Sequence, residues 1–236
     1  MENQKPVRPP FTSRPSRAEL LLALLWLPVH LFLLPRLAVR LFPALDDSWL
    51  NIVVYGTGTA YMLLTQFRFL RRDFDPLCDR LFYVLLEVLV SFGAMMLFNM
   101  ALNSLLVAFL AQAENPNNAA VVDMALTSSG PIAALAIFLA PLVEEPIFRG
   151  AVFGGLRHRS RPAAYLLSIA LFSGYHVWGY AFRDPTAWIY ALQYVPVSFL
   201  LCRIYERTDS LWGSILLHMF VNFVSLNALT ALEKLL

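Results

Sequence analysis

The sequence predicts an all-α membrane protein, a polytopic bundle of about seven transmembrane helices with a cytoplasmic N-terminus. Its composition is the first observation: 58% of the 236 residues are hydrophobic, 14% are charged and the mean hydropathy is +0.61. A soluble domain carries about 25% charged and 45–50% apolar residues. This chain has too few polar groups to cover its surface in water, whereas a bilayer stabilises such a composition when helices satisfy their own backbone.

Seven apolar stretches are the second observation, since a spanning helix needs roughly 20 residues and only the third is clearly longer than that. They lie at about 18–41, 49–67, 81–111, 131–150 with a continuation to 156, 162–182, 186–202 and 210–232. The preceding residues, 1–17, are polar, basic and rich in proline, and we interpret them as a cytoplasmic tail. Residues 18–236 are then one multi-spanning membrane domain.

The distribution of basic residues among the connections is the third observation. The connections after the first and third stretches contain none, whereas the tail and the connections after the second, fourth and sixth stretches are basic. The positive-inside rule therefore places the tail and the arginine-rich loops in the cytoplasm. Arg36 and Arg40 at the end of the first stretch do not fit this pattern. The net charge of +2 gives no indication of a nucleic-acid partner.

Charged side chains inside an apolar stretch are functional candidates, because each costs at least a few kcal/mol in a membrane span. The fourth stretch contains Glu144, Glu145 and Arg149. Arg149 follows Glu145 by four residues, so the two share a helix face and can form an ion pair. Glu144 points about 100° away and stays available for chemistry.

The fifth and seventh stretches add two histidines and an amide. Phe172 and His176 share one helix face, and His218 and Asn222 share another, because each pair is four residues apart. Counted by helical rise from the expected cytoplasmic ends, Glu144, His176 and Asn222 lie roughly 20 Å deep and His218 roughly 13 Å. Groups at comparable depth on three helices can converge. Each residue alone is equally compatible with a packed, hydrogen-bonded structural role.

Together these residues form three motifs in order, EExxxR at 144–149, FxxxH at 172–176 and HxxxN at 218–222. The ordered set resembles the CPBP family, which contains the CAAX-prenyl endopeptidases and the bacteriocin-processing and abortive-infection proteins. The resemblance covers about residues 131–225, the motif-bearing core. It implies a glutamic-type intramembrane endopeptidase with a cavity open to the cytoplasm or the lipid, and we expect a prokaryotic cytoplasmic membrane.

The resemblance also implies a catalytic role for four residues. Glu144 would be the general base, with His176 helping to hold and activate water. His218 and Asn222 would stabilise the oxyanion. Peptide hydrolysis needs an activated water, donors for the oxyanion and a proton for the leaving amine, and these side chains can supply all three.

The remaining motif residues would support the site: Glu145 and Arg149 would hold the fourth helix in place, and Phe172 would shape the cavity. The implied partners are membrane lipids and a membrane-associated or lipidated peptide substrate. No cofactor is favoured, and zinc is the alternative.

Two other mechanisms remain open at this point. Glu144, His176 and His218 are the ligand types of a catalytic zinc site, although the HExxH motif of many zinc proteases is missing; a metal-free mechanism is favoured. Ser173 and Ser214 lie near the motifs, but neither has an evident base partner that would make it a nucleophile.

Two other functions also use such a fold. A scaffold or immunity protein could bind a partner in the same cavity without chemistry, although a scaffold would not need all four catalytic residues. A small transporter or proton pathway also uses Glu and His in its spans, but the sequence shows no inverted repeat.

Overall fold

In the computed structural model, the described residues are 11–110, 115–127 and 129–233, and these form helices and no strand. The helices are α1 (Arg17–Leu41), α2 (Asp47–Thr65), α3 (Phe67–Asp79), α4 (Leu81–Leu110), α5 (Pro116–Thr127), α6 (Gly130–Arg157), α7 (Arg161–Ala181), α8 (Pro185–Thr208) and α9 (Leu211–Glu233). The all-α prediction is confirmed. Residues 1–10, most of the predicted tail, lie outside the described residues.

Five of the described helices are long and apolar enough to cross a membrane, namely α1, α4, α6, α8 and α9. The predicted spans at 49–67 and 162–182 are helical, as α2 and α7, but are not among the five. Hydroxyl-bearing residues and glycines lower the hydropathy of both. The structure therefore confirms a multi-spanning helical membrane protein, while the count of seven and the cytoplasmic N-terminus stay predictions.

Helix α6 lies at the centre of the bundle and contacts α1, α2, α7, α8 and α9. Every residue from 143 to 154 is buried. Two glycines allow this close packing, because a Cβ at Gly58 of α2 would lie 3.0 Å from Val143, and a Cβ at Gly150 would lie 3.0 Å from the Phe69 ring. The fourth apolar stretch is therefore the core helix of the protein.

In the part of the chain that the structure describes, three π-helical segments interrupt the α-helices, at Val29–Leu33 in α1 and at Leu135–Leu139 and Pro146–Gly154 in α6. The first follows Pro28 directly and the last begins at Pro146, and a proline has no N–H for the usual i→i−4 bond. π segments inside α-helices are frequently found at functional sites. Each of the three contributes a side chain or a carbonyl to the site described below.

The residues just before α1 are attached to the loop between α8 and α9. The backbone N–H groups of Thr12 and Ser13 each donate to the Asp209 carboxylate at 2.8 Å. The Ser13 hydroxyl bonds Asp73 of α3, which also accepts from the Leu211 N–H at 2.9 Å. Burial raises the pKa of Asp73 to about 6, although these hydrogen bonds oppose the shift. The attachment joins the N-terminal segment to the motif-bearing helices.

Candidate active site

The motif residues of α6, α7 and α9 converge on one oxygen atom. Glu144 Oε2 lies 3.8 Å from His176 Nε2 and 3.9 Å from His218 Nε2. This oxygen is buried and accepts no hydrogen bond from the described residues. Both imidazole distances exceed a direct hydrogen bond, and a water molecule can bridge polar atoms at such a separation. The convergence expected from helical depth is present.

The His176 ring is oriented by its own helix. Its Nδ1 lies 2.9 Å from the Phe172 carbonyl oxygen, and a carbonyl only accepts, so Nδ1 carries a proton. In the neutral ring, Nε2 is then an acceptor that faces Glu144. The Tyr194 ring stacks on the imidazole with centroids 4.4 Å apart, which fixes the plane of the ring.

The His218 ring is oriented by Glu145 instead. His218 Nδ1 lies 2.7 Å from Glu145 Oε1, and the same oxygen accepts from the Arg149 guanidinium at 3.0 Å. Ser214 donates to the other Glu145 oxygen at 2.6 Å. The Glu145–Arg149 pair predicted from the spacing is present. The Glu145 carboxylate also orients His218, a candidate catalytic residue. The adjacent glutamates Glu144 and Glu145 therefore face different partners.

Arg149 and Phe172 pack against each other next to the two imidazoles. The guanidinium is fully buried, lies 4.1 Å from the centroid of the Phe172 ring and donates to the Ser198 hydroxyl at 3.0 Å. The Phe172 ring in turn lies 4.4 Å from the His176 ring and 5.8 Å from the His218 ring, centroid to centroid. The Phe172 ring thus packs near the arginine and both imidazoles.

Asn222 lies one helical turn beyond His218 on α9. Its amide nitrogen donates to the Ala136 carbonyl at 2.7 Å, in a π segment of α6. One of its two N–H groups is therefore used, and the side chain lines the same cavity as Glu144. The bond fixes the orientation of the amide.

The four candidate residues line a cavity of about 750 Å³. The cavity lies toward the end of the bundle away from Arg157 and Arg161. His176 is five residues from the end of α7 and fifteen from its start, about 8 Å and about 22 Å along the axis. Further polar residues of the lining lie at that same end: Asn51, Asn117, Asn118 and Arg183.

This placement bears on the predicted access from the cytoplasm or the bilayer. With Arg157 and Arg161 in the cytoplasm, as the positive-inside rule predicts, the cavity faces the opposite half of the bilayer. Access from the bilayer is then the simpler of the two predicted routes.

The motif analysis did not single out three aromatic side chains of the cavity, Tyr55, Tyr175 and His30. The Tyr55 hydroxyl donates to Glu144 Oε1 at 3.4 Å and lies 2.8 Å from the Tyr175 hydroxyl. His30 is buried, with its Nδ1 lacking a partner among the described residues. Tyr175 lies inside the FxxxH motif, a usable signal, whereas no pattern in the first two apolar stretches marks the other two.

The zinc alternative requires three ligand atoms to close around one ion. Among the residues that the structure describes, no three His, Cys, Asp or Glu side chains lie close enough to do so. The separations of 3.8 and 3.9 Å from Glu144 to the imidazoles exceed the roughly 3.3 Å between tetrahedral ligands on bonds of about 2 Å. As placed, Glu144 and the two imidazoles are not drawn together into a closed set of zinc ligands.

Fold and site together define an integral membrane protein whose buried carboxylate faces two oriented imidazoles. Residues 127–224 match the family model described as Type II CAAX prenyl endopeptidase Rce1-like. The match confirms the family resemblance, contains all three motifs and covers less than half of the chain. The family is one of CAAX-type intramembrane proteases. Neither a curated protein nor a solved structure matches the chain.

Proposed function

We propose that this protein is an intramembrane endopeptidase that hydrolyses a peptide bond in a membrane-associated or lipidated peptide. The observation that carries the proposal is the buried Glu144 Oε2, which has no hydrogen-bond partner among the described residues and lies between two imidazole nitrogens at 3.8 and 3.9 Å. A purely structural carboxylate in a membrane span is normally paired. An acceptor held open between two rings is suited to binding and activating water.

In this mechanism, both hydrogens of the nucleophilic water have acceptors. One hydrogen is donated to Glu144 Oε2 and the other to His176 Nε2. His176 Nε2 can accept it because the Phe172 carbonyl holds the proton of the neutral ring on Nδ1. The lone pair of the water oxygen then points into the cavity. Glu144 takes the proton as the water attacks the peptide carbonyl carbon, and the C–O bond forms.

The oxyanion that forms needs donors, and His218 and Asn222 are the proposed ones. His218 donates from Nε2 only as an imidazolium, which the Glu145 carboxylate at its Nδ1 supports. Two glutamates and Arg149 alone leave one net negative charge in this buried cluster, so a protonated His218 balances it. Asn222 contributes its remaining N–H.

Collapse of the tetrahedral intermediate completes the reaction. The C–N bond breaks, and the proton that Glu144 took from water passes to the leaving amine nitrogen. Glu144 is then ionised again and can activate the next water. One carboxylate therefore acts first as base and then as acid.

Activity of a Glu144→Gln variant tests this proposal, because glutamine keeps the shape of the side chain and removes the base. The purified parent and variant are assayed against prenylated, otherwise lipidated and leader-type peptides. We expect the variant to lose about 10²–10⁴-fold in rate. Glu87→Gln is the matched control, because Glu87 is also buried but pairs with Arg203 and Arg207 instead of facing the cavity.

The assay also separates the alternatives. A chelator that leaves the rate unchanged supports the metal-free mechanism, and loss of activity that added zinc restores supports the metal alternative. Full activity of Glu144→Gln would contradict the assignment of the base. If the parent cleaves no peptide but binds one with equal affinity in both forms, the scaffold or immunity function takes precedence.

A further inference from the structure

Glu144 has two carboxylate oxygens in different surroundings, and one of them contacts a helix outside the matched family segment. Oε2 faces the two imidazoles, whereas Oε1 accepts a hydrogen bond from Tyr55 of α2 at 3.4 Å. Tyr55 lies 2.8 Å from the Tyr175 hydroxyl. The three groups form a continuous chain of polar atoms along the wall of the cavity.

The number of protons fixes the direction of this chain. A carboxylate only accepts, so the single hydroxyl proton of Tyr55 goes to Glu144. Tyr55 then has no proton left for Tyr175, and the close contact between the hydroxyls requires Tyr175 to be the donor. The chain therefore runs from Tyr175 to Tyr55 to Glu144, and each hydrogen bond polarises the next in the same sense.

We propose that Tyr55 is a positioning residue of the active site, supported by Tyr175. Its hydroxyl binds Oε1 of Glu144 and so leaves Oε2 as the oxygen that takes the proton from water. Without it, the plane of the carboxylate can turn, and neither oxygen is held toward the imidazoles. The inference rests on the proposed peptidase function and adds a residue from α2 to a site otherwise formed by α6, α7 and α9.

The packing around both tyrosines fits this role. The edge of the His30 ring meets the Tyr55 ring with centroids 4.8 Å apart, and His30 also lies near-parallel to Tyr175 at 6.4 Å. Phe148 of α6 packs against Tyr175 at 5.4 Å. The two hydroxyls are therefore held by rings that α1, α2, α6 and α7 contribute, and α1 and α2 are required for a complete site.

A comparison of Tyr55→Phe with Tyr61→Phe tests the inference. Both substitutions remove one hydroxyl from α2, but Tyr61 donates to the Leu22 carbonyl at 3.2 Å and is not in the cavity lining. For Tyr55→Phe we expect kcat to fall about 10-fold, the typical effect of losing one hydrogen bond to a charged group. KM should stay within about twofold, because the hydroxyl contacts Glu144 and not the substrate.

The pH dependence of kcat/KM gives a readout that a purely structural role would not change. Loss of the Tyr55 donor disfavours the ionised carboxylate, so the acidic limb of the profile should move to higher pH in Tyr55→Phe. Tyr175→Phe should give a smaller shift in the same direction, and Tyr61→Phe none. Unfolding temperatures of all three variants control for changes in stability.

The outcomes separate this inference from the proposed function. An inactive Glu144→Gln together with a Tyr55→Phe of parental kcat and pH profile would overturn the positioning role alone. Parental activity of Glu144→Gln would overturn the peptidase mechanism and this inference with it. Suppose that kcat of Tyr55→Phe falls only in proportion to a lower unfolding temperature and that its pH profile equals that of the parent. Tyr55 would then contribute only to packing.

Discussion

Helices α4 and α6 offer two spans of equal length in opposite surroundings. Each contributes a candidate span of 28 residues, yet 28% of the most apolar window of α4 is buried inside the protein, against 56% for α6. α4 is the more apolar of the two and still exposes much of its surface, including Leu89, Leu97 and Met100. α6 carries the two glutamates and the arginine of the site.

The difference shows how the hydropathy of a helix relates to its place in a membrane bundle. Lipid tails are as apolar as leucine, so a helix whose only charged residue is Glu87, as in α4, gains little by moving inside. A helix with ionisable groups must be surrounded by partners that satisfy them. The less apolar span is therefore the central one, and its polar residues determine its position.

The largest effect should come from removing Arg149 of α6. Arg149→Met leaves the Glu145 carboxylate buried without its ion pair, and breaking such a pair costs about 3–5 kcal/mol. Arg203→Met is the control, because Arg203 is partly exposed and its partner on α4, Glu87, keeps Arg207. We expect at most about 1 kcal/mol for that variant. Unfolding free energies of the purified proteins in detergent measure both.

Equal losses of unfolding free energy in Arg149→Met and Arg203→Met would contradict the proposed difference between α6 and α4. A further variant, Glu145→Gln combined with Arg149→Met, removes both charges and should recover part of the loss. No recovery would mean that Glu145 is held mainly by Ser214 and His218 and not by the arginine.

An intermediate effect concerns Asp73 of α3, the helix that precedes α4. Its pKa of about 6 is raised above the ordinary value of 3.8, so the folded protein binds the proton more tightly than the unfolded chain. The stability from this group is full below about pH 4 and is lost as pH rises through about 6, by up to about 3 kcal/mol. Asp73→Asn should remove that pH dependence.

Unfolding midpoints between pH 4 and 7 check this prediction. Asp75→Asn is the matched control, because Asp75 lies on the same helix but is exposed. Two results would contradict the prediction: a parent that loses no stability between pH 4 and 7, or an Asp73→Asn variant whose stability falls with pH as steeply as that of the parent. Titration of the buried Asp73 would then not determine the pH dependence of stability.

The smallest effect should come from adding one methyl group to each span. Gly150→Ala in α6 places a Cβ 3.0 Å from the Phe69 ring, whereas a Cβ at Gly93 of α4 meets nothing within 4 Å. Overpacking should destabilise the first variant by about 1–3 kcal/mol. Gly93→Ala should be neutral or stabilising by up to about 1 kcal/mol, because alanine favours the helix. Thermal unfolding ranks them, and the reverse order would show that α6 is not tightly packed at Gly150.

Much of the site could be predicted from the sequence because it rests on local helical geometry. The four-residue spacing gives the Glu145–Arg149 pair, and the depth counted along three helices predicts that Glu144 and the two histidines converge, as they do. The Tyr55 contact could not be predicted, because it joins residues 89 positions apart and depends on how α2 packs against α6. The same holds for the bond between Asn222 and the Ala136 carbonyl.

The sequence by itself determined that this protein is an α-helical membrane protein and which polar residues its apolar segments must accommodate. Composition and periodicity are properties of the chain, and the cost of burying charge follows from them. Only the tertiary structure decided that α6 is central, that Glu144 faces the imidazoles with one oxygen and Tyr55 with the other, and where the cavity lies. These features depend on the packing of several helices against one another, which no single segment encodes.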